Sequence, residues 1–296
     1  MSQAILILAH KDTEQVLELS ECLKPYFKVF IHFDAKHPLS TKEIKCFTDK
    51  DIQVFQKYAV NWGAWSICEA MLFLLEKALV NSSINYFHFI SGQDYPVIHP
   101  KDISMFYEKQ DGIFMKYDSA EGIKKTGEPL LWWQKYYFDY DKIQRQSYFG
   151  VLYHRLTLLV QTIKHINKFQ TLKIKIPIYQ GSQWLDLPRY AAEYVLDFLK
   201  SNENIKEMLR TGFCSDEFMF QTVLCNSPFK EKIINNNHRF ITLMPQHGSV
   251  PAILDETNYN EIVSSGAHFA RKIDPDISRK LIRIIQKSVD FSQNNQ

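Results

Sequence analysis

The chain of 296 residues has no apolar run approaching about 18 residues, so no segment is expected to span a membrane as a helix. Its five cysteines, Cys22, Cys46, Cys68, Cys214 and Cys225, include no pair at metal-ligand or redox spacing, and their number is odd. Free thiols in a reducing compartment follow, which points to the cytoplasm. Ile5–Ala9 is too short for a secretory h-region and has no basic residues before it, so no signal peptide is expected. No Gly-x-Gly-x-x-Gly follows this first apolar run, which argues against a dinucleotide site. Paired acids that would hold a divalent metal after a central strand are also missing. Asp139-x-Asp141 and Asp274-x-Asp276 have the spacing but follow no recognisable central strand, and read as surface or capping acids. Finally, no Asp or Glu occurs between Lys142 and Leu185. The formal net charge of +2 excludes no class of partner, and no nucleic-acid partner is expected.

Aromatic residues are abundant, with 15 Tyr, 21 Phe and 5 Trp, which suits a large core and also the faces of sugars. Ala4–Ala9 reads as a central parallel strand, followed by the His10-Lys11-Asp12 turn. Asp12 is placed to cap a helix over Thr13–Lys24, and Lys28–Phe33 is a second strand ending at Asp34. This strand–helix–strand unit puts a polar residue at each strand tip, where open α/β sheets bind ligands. Asp34 stands where nucleotide folds place an acid on ribose or base edges. Val60-Asn61-Trp62-Gly63-Ala64-Trp65-Ser66 leads into a helix over Ile67–Val80 with Ser66 as its cap. Trp62 and Trp65 suit stacking on a base or sugar, and equally suit anchoring the core. Tyr86–Ile90 is a strand that runs into Ser91-Gly92-Gln93-Asp94-Tyr95-Pro96, presenting a single carboxylate, Asp94, at the sheet edge.

Lys101–Gln110 reads as a helix and Gly112–Met115 as a strand. Tyr117–Asp141, with Trp132, Trp133, Tyr136, Tyr137, Phe138 and Tyr140, reads as an acceptor-side loop or subdomain rather than sheet core. The acid-free 142–185 segment carries Lys142, Arg145, Arg155, Lys164, Lys168, Lys173 and Lys175 among apolar residues. It suits contact with anionic lipid or an acidic glycan, or is a solvated helix face. Gly181-Ser182-Gln183-Trp184 reads as a small-residue turn followed by an indole. Ser215 is placed to cap a helix over Asp216–Leu224, with Asp216 and Glu217 in its first turn, an ordinary position for acids. Arg271-Lys272 before Asp274 suits a phosphate or is surface charge. Asp276–Asp290 is a basic amphipathic helix, followed by a frayed Asn/Gln-rich end.

Six of these pieces occur in order: Ile31-His32-Phe33-Asp34, Trp62-Gly63-Ala64-Trp65-Ser66, Ser91-Gly92-Gln93-Asp94-Tyr95-Pro96, Gly181-Ser182-Gln183-Trp184, Ser215-Asp216-Glu217 and Phe269-Ala270-Arg271-Lys272. Together they resemble the core-2/I-branching glycosyltransferase family, which includes β-1,6-N-acetylglucosaminyltransferases and peptide O-xylosyltransferases, over Ile5 to Asp274. The resemblance implies an α/β variant GT-A fold, a Rossmann-like, mostly parallel central sheet flanked by helices. It implies inverting transfer from a UDP-sugar without a metal or other cofactor. Glu217 matches the catalytic base and Lys272 a lysine on the donor diphosphate. Asp34 and the His10 turn match the uridine region. Trp62, Trp65, Asp94, Gly181, Ser182 and Arg271 complete the expected donor side, and Trp133, Trp184 and Asp216 the acceptor side. The family also uses an arginine on the diphosphate, upstream of the lysine. The stretch around His247–Val250 contains none here, which leaves Arg239 and Arg271 as candidates.

One catalytic domain is expected over residues 1–275, with 1–116 holding the nucleotide-sugar part and 117–275 the acceptor and base part. Residues 276–296 form the helix and tail beyond it. The expected partners are a UDP-sugar and a glycan or glycolipid acceptor of bacterial surface polysaccharide, with peripheral contact at an anionic inner membrane face. A non-catalytic glycan-binding protein on the same fold is the alternative, and a metal-dependent nucleotide-sugar hydrolase suffers from the lack of clustered ligands.

Overall fold

The computed structural model describes residues 2–125 and 127–293. The strands in chain order are β1 (Ser2–Ala9), β2 (Lys28–Phe33), β3 (Gln53–Phe55), β4 (Ile84–Ser91), β5 (Asp94–Pro96) and β6 (Ile113–Ser119). They continue with β7 (Lys124–Lys125), β8 (Glu128–Pro129), β9 (Tyr179–Pro188), β10 (Ile233–Ile234), β11 (Arg239–Ile241) and β12 (Phe269–Arg271). Seven strands form the central sheet in the order β10-β6-β9-β4-β1-β2-β3. β1 pairs in parallel with β2 and β4, and β2 with β3. β9 alone runs against its neighbours β4 and β6. The mostly parallel α/β sheet expected from the sequence is the one observed.

The continuous apolar run of β1 is explained by burial on both faces. Ala4 and Leu6 pack into one core with Trp65, Met71, Phe87, Leu185 and Phe218. Ile5 and Ile7 pack into the other with Val16, Val29, Ile31, Ile90 and Phe269. Each fully buried side chain of this size contributes about 1.5–3 kcal/mol. The C-terminal helix Arg279–Gln293 belongs to the second core through Leu281 and Ile285, and Gln286 donates to the Tyr95 hydroxyl at 2.9 Å. The expected tail beyond residue 293 lies outside the described residues.

Several local expectations change. Asp12 precedes the helix Thr13–Leu23 in a left-handed conformation, and its carboxylate pairs with Lys11 at 2.8 Å instead of capping. Ser66 lies inside the helix Trp65–Leu79, where its hydroxyl accepts from the Asn61 N–H at 3.0 Å and closes the preceding turn. Gly181–Trp184 is not a turn but part of the ten-residue β9. Gly181 is required there because a Cβ would stand 1.8 Å from the Lys116 carbonyl oxygen, where the β6–β9 register shifts. The 117–141 aromatics are not a loop surface: Trp133, Tyr136, Phe138 and Tyr140 are buried in the first core.

Candidate active site

β1 is the topological switch point of the sheet, since the chain moves to β2 on one side of it and returns to β4 on the other. The carboxyl ends of these strands are held together by the Asp34 N–H donating to the Ala9 carbonyl (2.8 Å) and the Gly92 N–H to the Leu8 carbonyl (2.9 Å). A cavity of about 590 Å³ opens at this edge, lined by His10, His32, Asp34 and Ser91 among others. Its size and place match the general rule for ligand sites in open α/β sheets. Asp34 organises the floor: Oδ1 accepts from the Lys36 and Val60 N–H groups, each at 3.0 Å, and Oδ2 faces the Lys36 ammonium at 3.4 Å. His32 is neutral, its pKa lowered to about 4 by burial, and its Nε2 accepts from the Tyr58 N–H at 3.0 Å.

Two cations of this cavity, Arg271 and Lys272, come from the far end of the chain. β12 pairs antiparallel with β5, in a register that sets Arg271 opposite Asp94. The Arg271 guanidinium donates to the Ser91 hydroxyl, stands 3.5 Å from the Asp94 carboxylate and lies 5.0 Å over the Trp184 ring. Such stacking fixes the planar group without using up its donors. Arg271, Lys272 and Trp184 all line the cavity with His10. Burial, with the charges of Arg271 and Lys11, lowers the Lys272 pKa, and burial with Lys11, Arg271 and Lys272 lowers that of His10. This edge is therefore electropositive and favours an anion.

Glu217 is not among the residues that line this cavity. Its segment is a single 3₁₀ turn, Ser215–Glu217, followed by the helix Met219–Cys225, not the first turn of one continuous helix. The reason lies in Ser215. It sits inside the turn, after Cys214 at the N-cap position, and its hydroxyl donates to the Leu209 carbonyl and accepts from the Gln134 amide. The turn abuts the cavity wall. The Cys214 N–H donates to the Gly63 carbonyl at 2.9 Å, and the Trp62 ring meets Phe213 edge-on at 5.7 Å. Glu217 is partly exposed, with a carboxylate oxygen 3.0 Å from the Lys125 ammonium. Asp216, next to it, is buried, and burial with the Glu217 charge pushes its pKa up to about 7.

The expected residues thus divide. His10, Asp34, Trp62, Trp184, Arg271 and Lys272 share one cavity; Glu217 is not among its lining residues, and its segment reaches the wall through Phe213 on Trp62 and Cys214 on Gly63. Asp94 is buried behind it, accepting from the Ser91 N–H and hydroxyl, and holds Arg271 rather than facing the cavity. Trp65 is a core residue. Trp133 is buried too: its indole N–H donates to Glu128 at 2.6 Å, and the Lys125 ammonium sits 5.6 Å over its ring, so it supports the Lys125–Glu217 pair. Gly181 and Ser182 lie in β9 just before the lining residues Gln183 and Trp184. Arg239, the other candidate for the diphosphate, is buried elsewhere on Asp186. Three cations, Lys36, Lys125 and Arg145, were not singled out from the sequence. Lys125 carried no signal. Arg145, which lines the cavity and lies 5.4 Å over the Phe213 ring, stood in the acid-free stretch without any mark to separate it from its neighbours.

The chain matches the family described as Core-2/I-Branching enzyme over residues 4–263. The chain belongs to that family. As a family member it is a glycosyltransferase by class. No curated protein matches it in sequence. Among solved structures it is similar to a cytidylyltransferase from Leptospira borgpetersenii (16% identity, TM-score 0.26), covering 39% of this chain and 54%, about half, of that one. It is also similar to a putative glucose-1-phosphate thymidylyltransferase from Bacillus anthracis (9% identity, TM-score 0.31, 71% and 83% covered). A third is titled mannose-1-phosphate geranyltransferase, from Thermus thermophilus (12% identity, TM-score 0.31, 74% and 67% covered). At scores this low the likeness supports no further conclusion.

Proposed function

We infer that this family member is an inverting glycosyltransferase that moves a sugar, N-acetylglucosamine or xylose, from a UDP-sugar to a hydroxyl of a glycan or glycolipid. The observation behind this reading is the convergence of Arg271 and Lys272 with His10 and Asp34 on one cavity, with the Glu217 turn against its wall. Uridine lies toward His10 and Asp34, and the diphosphate toward Arg271 and Lys272. Glu217 removes the proton of the acceptor hydroxyl as the oxygen attacks the anomeric carbon. The bond from that carbon to the diphosphate oxygen breaks, the configuration inverts, and UDP leaves with its charge neutralised by the two cations. On this reading the cations do the work that a divalent metal does elsewhere, and no metal is required. Lys125, bonded to Glu217, is displaced or shared when the acceptor hydroxyl arrives. The acceptor belongs to bacterial surface polysaccharide or lipopolysaccharide synthesis at an anionic membrane face.

Glu217→Gln is the direct test. It is expected to keep UDP affinity and to lose transfer by about 10²–10⁴-fold, the usual worth of a general base. Product formation from UDP-sugars, measured beside UDP binding, separates the two; full turnover in this variant contradicts the assignment.

A further inference from the structure

The helix Tyr148–Ile163 presents one face to the core and leaves the opposite one bare. Its inner side is fixed by Gly150, His154 and Gln161. His154 bonds Glu128 at 3.0 Å, and Gln161 bonds both the N–H and carbonyl of Tyr137. On the outer side stand Tyr148, Phe149, Leu152, Leu156, Leu159 and Ile163, exposed by 44% (Leu152) to 81% (Tyr148). At about 100° per residue these six positions fall within an arc of about 100°, a continuous apolar strip. Exposed large apolar side chains gathered in this way mark an interaction surface.

Charge indicates what covers it. Arg155 lies at one edge of the strip and Lys164, the C-cap, at the other, both exposed. Lys173 and Lys175 follow in the chain, also exposed, and no acid occurs from 142 to 185. An apolar strip bordered by cations is the pattern of a helix lying in the plane of an anionic bilayer, with Lys and Arg stems reaching to the headgroups. A second protein copy would set these like charges against one another.

We propose that Tyr148–Ile163 docks the protein in the interface of an anionic membrane. The helix is joined to the cavity by Gln144, Arg145 and Gln146, three lining residues immediately before its N-cap, Ser147. Docking therefore brings this rim of the cavity to the lipid surface, where a lipid-borne acceptor with an anionic headgroup meets Arg145; this last step rests on the transferase reading above.

The full chain is sedimented with vesicles of equal parts phosphatidylglycerol and phosphatidylcholine, and with phosphatidylcholine alone. Binding is expected to the first, to weaken with added salt, and to be small on the second. Leu156→Glu with Ile163→Glu is expected to lower binding at least about tenfold, with melting temperature and UDP affinity unchanged because both side chains are exposed. Arg155→Glu with Lys164→Glu is expected to remove the preference for anionic vesicles while the strip stays intact. Vesicle binding equal to wild type in the first variant overturns the proposal. So does a wild-type dimer in solution that the first variant splits into monomers. Either result with UDP affinity intact leaves the transferase reading standing, whereas a protein that binds vesicles but no UDP contradicts that reading alone.

Discussion

Of the two arginine–aspartate pairs with a buried carboxylate among the described residues, Arg239–Asp186 and Arg271–Asp94, only the second has its arginine in the cavity lining. Arg239 grips Asp186 through two nitrogens at 2.7 and 2.9 Å, with side chains 1% and 0% exposed. The same carboxylate takes His88 at 2.9 Å and the Tyr107 hydroxyl at 2.6 Å. Burial alone would raise the Asp186 pKa, but the Arg239 charge and the His88 bond hold it well below the usual carboxylate range. Arg271 meets Asp94 at 3.5 Å through one nitrogen, with its side chain 19% exposed. In the first pair both carboxylate oxygens and both terminal guanidinium nitrogens are engaged, Arg239 Nε being left buried without a partner, and the pair lies away from the cavity lining. The second is held from behind, by Asp94, Ser91 and Trp184, and keeps donors for a ligand. Burial and partner count, not residue type, separate these two arginines.

The largest expected effect comes from the closed pair. Arg239→Ala leaves a buried carboxylate without its cation and is expected to cost about 3–5 kcal/mol of stability, read by denaturant unfolding. A cost below about 1 kcal/mol would break the comparison, since surface pairs are worth that little. Arg271→Ala is expected to cost less in stability and more in binding, with UDP affinity falling about 10–100-fold, the worth of one or two charged hydrogen bonds. A variant that melts early but binds UDP normally would place Arg271 with Arg239 as structural. Asp216 extends the series, because it is a buried carboxylate whose Oδ1 has no partner. Its pKa rises from 3.8 unfolded to about 7 folded, so between these values the unfolded state has released a proton that the folded state retains. Stability from this group is greatest at low pH, falls as pH rises through that window and is level above it. Asp216→Asn is expected to flatten that slope and to gain on the order of 1–2 kcal/mol at pH 8. Unfolding curves at pH 5 and pH 8 that slope as in wild type would contradict it.

Much of this was legible in the sequence. Strand runs such as Ala4–Ala9 are apolar on both faces and announce a parallel sheet, and His10 and Asp34 follow from strand tips. Other features were set by tertiary structure. The role of Arg271 depends on β12 adding to β5, a pairing across about 175 residues that no local pattern encodes. Gly181–Trp184 looks like a turn because small residues are needed where β9 meets a bulge in β6. The aromatics of 117–141 read as surface because their polar neighbours dilute the pattern, yet they fill the first core. Ser215 looked like a cap, but the helix ending at Arg210 takes its hydroxyl.

The central claim, that Arg271 and Lys272 hold a nucleotide diphosphate in this cavity, is tested most directly by titrating UDP calorimetrically in the presence of EDTA. Wild type is expected to bind, and the Arg271→Ala/Lys272→Ala double variant to lose at least about 100-fold in affinity while keeping the wild-type fold. Binding of equal strength in the double variant would contradict the claim, as would wild-type binding that vanishes in EDTA and returns with Mn²⁺.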